Sequence, residues 1–308
     1  MKEVKHSKGL KIAVVFFAFN RPDKLKNTIK SYLSCFNAQT DDIFVYIDGP
    51  RNLKERVLTN ECFQVSSELI SQATIISRED NLGLKHSIHG GISDVLKQYE
   101  AVIVIEDDLK LEPEFYNYMR TGLIKYDGNE KVYQISGYNY NPEEGTDAFF
   151  LPIITSWGWA TWRSRWKGFD LTTNYQSLLM TKSDKKRYNF GGSFNFSRMI
   201  SLEYSGKISS WAIRWYSYVY SYNGLTLYPP QSLVVNDGFN DGGTHSSYTS
   251  SELFSSANSY ATSNIDYPDV VQLCEFKVRS LQKHFRKRLN RKILGYIKSL
   301  LKRVFHVK

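Results

Sequence analysis

Residues 102–111 read VIVIEDDLKL, an apolar, β-branched run that enters three consecutive acids, Glu106, Asp107 and Asp108. Carboxylates this close raise one another's pKa unless a positive charge neutralises them. A hard divalent cation supplies that charge well, since Mg2+ and Mn2+ take oxygen ligands and Mg2+ uses one or two carboxylates plus substrate phosphates. Held beside a diphosphate, such an ion stabilises the charge that grows on a departing phosphate. The plainer alternative is an acidic strand-to-helix loop, with Asp108 capping a helix that starts near Pro113.

The segments around the triplet alternate strand and helix. Lys11–Ala18 is a continuous apolar run that predicts a buried strand, and Pro22–Phe36 carries Leu25, Ile29, Tyr32, Leu33 and Phe36 at helical spacing behind a first-turn proline. Ile43–Ile47 predicts a second strand, Leu53–Ser71 a helix, Thr74–Ile76 a short strand, Leu84–Gln98 a helix and Ala101–Ile105 the next strand. This alternation predicts an α/β protein with a parallel sheet covered on both faces, where ligands gather beyond the carboxyl ends of the strands. Three of those ends carry polar punctuation: Asn20-Arg21-Pro22, Asp48-Gly49-Pro50 and Glu106-Asp107-Asp108. No G-x-G-x-x-G follows a strand and no G-x-x-x-x-G-K-[ST] occurs, which argues against a nicotinamide oxidoreductase or a P-loop NTPase.

The stretch VIVIEDDLKLEPEFYNYM resembles the diphosphate-metal motif of GT-A fold glycosyltransferases, in particular the group containing N-acetylglucosaminyltransferase I, and suggests a bacterial relative of it. The resemblance spans roughly residues 10–250. It implies a Rossmann-like GT-A sheet, mixed but mostly parallel, a divalent metal bound by Asp108, Asp107 near the ribose or diphosphate, and Glu106 supporting the loop. Phe17-Ala18-Phe19-Asn20-Arg21 is similar to a first-strand end whose Arg contacts the nucleotide, which implies Phe19 and Arg21. Asp48 falls where an Asp reads uracil, and Lys85 where a His touches the nucleotide. Ser156-Trp157-Gly158-Trp159 is similar to an acceptor-side stretch, and Val234-Val235-Asn236-Asp237-Gly238-Phe239 with Gly243-Thr244-His245 to a late loop that closes over the donor and implies His245 as a phosphate or metal contact; a solvated surface histidine is the alternative. The implied activity is inverting transfer from a nucleotide-diphosphate sugar, with UDP the expected carrier, to a glycan or lipid-linked acceptor in capsule or lipopolysaccharide synthesis.

Inverting transfer needs a base beside the acceptor hydroxyl. The resembled enzymes place an Asp directly after a Trp, and here Trp211 is followed by Ala212. Three readings stand open: an engineered inactivating change, a base supplied by Asp237, Asp241 or Glu203, or a module that binds sugar nucleotide or glycan without transferring it. Four of the six tryptophans fall between residues 149 and 170. At least two of them are expected in the core, while Trp157 and Trp159, with Trp211, are candidates for stacking on an acceptor sugar.

Charge separates the end of the chain from the rest. Of the 40 Lys and Arg, 12 lie in residues 276–308, which hold no acid, so the remainder carries 28 basic against 31 acidic residues. Val278, Leu281, Phe285, Leu289, Ile293, Ile297, Leu300, Leu301 and Val304 recur at steps of three or four among those cations, predicting a basic amphipathic helix. The expected organisation is a catalytic domain over 1–265, with a donor half about 10–145 and an acceptor half about 146–250, and a tail at 266–308. An all-basic polar face favours an anionic membrane surface; docking on the domain is the alternative, and no nucleic-acid motif appears. No run approaches the roughly 20 apolar residues of a membrane span. Three cysteines with no metal spacing and no leader-like segment suit the cytoplasm, peripheral to the inner face of its membrane.

Overall fold

The computed structural model describes residues 9–38, 40–140, 146–237 and 264–287. Strand β1 (Ile12–Ala18) has no polar residue and is buried throughout, because it pairs in parallel with β2 (Asp42–Ile47) on one side and β4 (Ala101–Glu106) on the other. Strand β3 (Thr74–Ser77) adds in parallel outside β2. Between these strands run α1 (Pro22–Leu33), α2 (Leu53–Leu69) and α3 (Gly83–Val95). The sequence reading placed all of these elements to within a few residues, since each periodic run is long and bounded by Pro, Gly or Asp.

Beyond β4 the sheet becomes mixed. A short β5 (Leu109–Leu111), α4 (Phe115–Lys125), β6 (Val132–Ser136), β7 (Phe149–Leu151), β8 (Trp159–Trp162) and α5 (Arg163–Trp166) follow, then α6 (Lys182–Tyr188), α7 (Phe196–Tyr204), α8 (Trp211–Ser221), β9 (Leu225–Tyr228) and β10 (Val234–Asn236). The eight-stranded order is β3-β2-β1-β4-β8-β6-β9-β7, with β10 and β5 forming a separate antiparallel ribbon. Strand β8 runs antiparallel to both neighbours, β4 and β6, and β7 runs antiparallel to β9. The expected mixed α/β sheet with flanking helices is the observed one.

Two apolar layers cover the sheet. One holds Leu25, Ile29 and Tyr32 of α1 with Phe115 and Met119 of α4; the other holds Ile88 and Ile92 of α3 with Trp211, Trp215 and Val219 of α8. Trp159, Trp162 and Trp166 are all core residues, as expected for at least two of the tryptophans.

Residues 275–287 form a last described helix, α9. Its Leu281 and Phe285 are buried against the domain, and the Phe285 ring meets Tyr140 and Phe194, each at 5.3 Å. Docking, the alternative weighed for the tail, therefore holds for residues 275–287; the tail residues 288–308 lie outside the described residues. No described helix is long and apolar enough to cross a membrane.

Candidate active site

The acids of the triplet leave β4 beside the end of β1, and the loop after β1 supplies their counter-charge. Arg21 pairs through Nη2 with Asp107 Oδ1, donates from Nε to Asp107 Oδ2 at 3.3 Å, and from Nη1 to Asp108 Oδ2 at 3.0 Å. Burial lowers the basicity of the Arg21 guanidinium, but Asp107 and Asp108 together outweigh that and raise its pKa. Burial likewise raises the Asp107 pKa, aided by Asp108 and opposed by Arg21 and by the Phe19 N–H. Glu106 is half-buried, and burial with two neighbouring carboxylates pushes its pKa well above the ordinary range.

Two further elements close this edge. Thr28 of α1 donates to the Asp107 carbonyl at 2.9 Å, fixing the strand end. The β5–β10 ribbon carries the late chain back, so the Asp237 N–H donates to the Asp108 carbonyl at 2.8 Å and Asn236 Nδ2 reaches Asp108 Oδ1 at 3.4 Å. Lys24 Nζ then donates to the Asp237 carbonyl at 2.9 Å and to its Oδ2 at 3.2 Å. Sequence reasoning missed Lys24 and Thr28, while Asn236 lies in the late-loop stretch it singled out. The signal of the two missed residues was weak: polar residues on a helix face acquire a role only once distant segments meet them. Asp108 does not cap α4, whose N-cap is Glu114 without a side-chain cap bond.

Asp48 sits at the end of β2, but its carboxylate is fully engaged. It accepts from Gly49 N at 3.1 Å, Leu82 N at 3.0 Å, Gly83 N at 2.9 Å and Asn81 Nδ2 at 3.2 Å. Four acceptor positions are about all a carboxylate has. Asp48 thus ties the β2 loop to the start of α3, and contact with a base would require one of these bonds to open. Gly49 belongs to the same closure, because a Cβ there would lie 2.3 Å from the Asp80 backbone. Phe19 lies half-buried with the Arg51 guanidinium 5.2 Å from its ring centroid.

The remaining expectations, for one donor contact, the base and the acceptor side, fare differently. Lys85, expected near a phosphate, instead donates to Glu203 Oε1 at 3.0 Å, and Arg214 Nη2 lies 2.5 Å from Glu203 Oε2. The Glu203 side chain is fully enclosed between these two cations and offers no face to an acceptor hydroxyl, so Glu203 is corrected as a fallback base. Trp159 and Trp211 are also corrected as acceptor contacts: they are buried and stack on each other at 5.1 Å in the core. Trp157 is half-buried, edge-on to Tyr138 at 4.7 Å. Gly158, at φ +52°, turns the chain between Trp157 and Trp159, setting Trp157 against one apolar layer and Trp159 inside the other. Ala212 is part-buried in the first turn of α8, behind the Ser210 cap that accepts from Ile213 N at 3.4 Å. Asp241 and His245 lie outside the described residues.

Among the described residues no group of three or more His, Cys, Asp or Glu could by itself hold a metal ion. The Asp107–Asp108 pair already accommodates a cation, the Arg21 guanidinium, and one or two such carboxylates suffice for a hard ion whose other ligands come from phosphate and water. The residues fit that shared kind of site and not a protein-only cage.

Fold and edge together define an α/β protein whose candidate site lies beyond the carboxyl ends of parallel strands. No family model matches the chain. Among curated proteins it is similar to an alpha-1,3-mannosyl-glycoprotein 2-beta-N-acetylglucosaminyltransferase of Arabidopsis thaliana, 25% identical over 168 residues that cover 50% of this chain and 38% of that one. The chain thus spans well under half the length of that relative, and the similarity bears out the resemblance read from the acidic triplet. Similar solved structures include glucosyl-3-phosphoglycerate synthase of Mycobacterium tuberculosis with Mn2+ and UDP, at 16% identity, TM-score 0.34, covering 51% of this chain and 58% of that one. A mannosyltransferase of Pyrobaculum calidifontis, solved with GDP-Man and Mn2+, is 11% identical with TM-score 0.42, covering 62% of this chain and 64% of that one. Both scores are below one half, so the fold rests on the sheet order itself.

Proposed function

We infer that the chain is a metal-dependent glycosyltransferase that moves a sugar, with inversion, from a nucleotide-diphosphate donor to a glycan or lipid-linked acceptor. The observation that carries this reading is the Arg21–Asp107–Asp108 cluster at the joined ends of β1 and β4, with Asp237 delivered to it by β10. When bound, Mg2+ or Mn2+ on Asp108 would neutralise charge on the leaving diphosphate. Arg21 and Lys24 would supply cations for the phosphate oxygens from this edge, and Asp107 and Glu106 would hold the loop. UDP is the favoured carrier, by analogy with the resembled group, and a bacterial surface polysaccharide such as capsule or lipopolysaccharide is the proposed pathway. The basic segment 276–308 is proposed as the contact with the cytoplasmic face of the membrane where a lipid-linked acceptor would lie.

Among the described fallback bases we retain Asp237 as proton acceptor, although its carboxylate pairs with Lys24 at 3.2 Å. Its side chain is 58% exposed, whereas Glu203 is enclosed and Ala212 has no proton-accepting group. Turnover of a UDP-sugar panel with Mn2+ tests the assignment: Asp237→Asn should lose about 10²–10⁴-fold, the scale of general-base catalysis, with nucleotide affinity retained. If Asp237→Asn is harmless and Ala212→Asp raises turnover instead, position 212 is a vacated base. Ala212 is also the observation that favours the second reading, a module that binds sugar nucleotide without transferring it. Nucleotide binding without turnover in either form would establish that reading.

A further inference from the structure

A second basic surface, absent from the sequence pattern of the tail, is assembled by the docking of α9. On α9, Phe276, Arg279, Lys283 and Lys287 recur on one outward face, opposite the buried Leu281 and Phe285. Phe276 is 67% exposed, a large aromatic set among cations. Arg286 Nη2 donates to the Gly191 carbonyl at 3.1 Å, and a Cβ at Gly191 would lie 2.5 Å from Gln282. The 190–192 turn that receives α9 also follows α6, and a Cβ at Gly192 would lie 3.7 Å from Lys186 Cγ. Lys182, Lys185, Lys186 and Arg187 of α6 are all exposed. The two helices, about 90 residues apart in sequence, therefore present their cations around one turn.

The acids on these helices do little to offset that charge. Asp184 is engaged in the capping box with Thr181 and pairs with Arg187 at 3.1 Å, and Glu275 is the other. The C-terminal Lys185, Lys186 and Arg187 of α6 also lie at the negative end of their helix, which favours them there.

We propose that α6 and the outward face of α9 form one composite docking surface for an anionic lipid bilayer, with Phe276 entering the headgroup region. The proposal rests on the membrane reading of residues 276–308 but changes its geometry. The apolar face of α9 holds the domain, so the lipid meets the opposite face and a helix from the middle of the chain. Lipid is favoured over nucleic acid because an exposed phenyl ring beside lysines gains by leaving water for the interface, where amphipathic segments bury their aromatics. Each basic residue near an anionic surface contributes on the order of 1 kcal/mol, falling off within a Debye length.

The full chain should co-sediment with phosphatidylcholine vesicles containing phosphatidylserine, and not with phosphatidylcholine alone. K185E/K186E should weaken that binding about tenfold or more, K185Q/K186Q by less, and Phe276→Ser should weaken it at any salt concentration. Circular dichroism should show the variants folded. Failure of the wild-type chain to bind would overturn the membrane reading as a whole. Wild-type binding unchanged by K185E/K186E would overturn only the composite surface and leave the contact to the tail. A chain that binds duplex DNA more tightly than vesicles, with Phe276→Ser silent, would replace lipid with nucleic acid.

Discussion

Two groups of ion pairs in this molecule use the same chemistry for different ends. At the β1–β4 edge, Arg21 bridges Asp107 and Asp108, with Lys24 and Asp237 beside them. Between α3, α7 and α8, Lys85 and Arg214 enclose Glu203. The first group sits at strand ends and stays partly open: the Arg21 side chain is 33% exposed and that of Asp237 58%. In the second the carboxylate is enclosed, with Lys85 the more exposed of its two cations at 21%, and Arg214 also lies 4.8 Å from the Tyr204 ring centroid. A carboxylate that can exchange one cation for another can serve a ligand. One locked between two cations in the interior holds helices in place.

The comparison breaks most sharply at Asp108. Asp108→Asn should cut turnover with Mn2+ by about 10²-fold or more, the scale of a lost transition-state charge contact, while urea unfolding changes by less than about 1 kcal/mol. Glu203→Ala should do the opposite. It leaves the buried Arg214 and the part-buried Lys85 uncompensated and should cost about 3 kcal/mol or more in urea unfolding, with nucleotide affinity per folded molecule preserved. Equal losses of stability in both variants would erase the distinction.

The tryptophans offer a parallel test of similar size. Trp159→Ala should cost about 3–5 kcal/mol, since its ring is buried against Trp211 and Trp166. Trp157→Ala should cost less and act mainly on the acceptor KM. A smaller effect concerns thiols beneath the donor edge. Burial pushes both Cys35 and Cys62 up to about 12. The thiolate is the reactive form, so alkylation of the native protein at pH 8 should be slow and should rise with pH, while unfolded chain with thiols near 8.5 reacts at once. Mass spectrometry of labelled protein checks this.

Much of the first half of the chain was legible because β1, β2 and β4 are largely apolar runs with charged or turn residues at their ends. The triplet was legible for the same reason: three adjacent acids after a buried strand demand a counter-charge. The source of that charge was not, since Arg21 lies 86 residues from Asp107 and was expected to meet a nucleotide. Trp159 and Trp211 misled because an aromatic run reads alike in a core and in a cleft. Lys85 and Glu203, 118 residues apart, offered no local sign that they would neutralise each other.

Local pattern alone determined the alternation of strands and helices, the acid cluster at a strand end and the basic close of the chain, because hydrophobic periodicity and neighbouring charge are properties of short segments. Tertiary structure decided which cation meets which acid, which indoles are fully buried, and that the last described helix turns its apolar side inward. Those outcomes depend on desolvation. Whether a charge or a ring keeps its contact with water is fixed by what packs over it, and in this chain the covering residues come from distant segments.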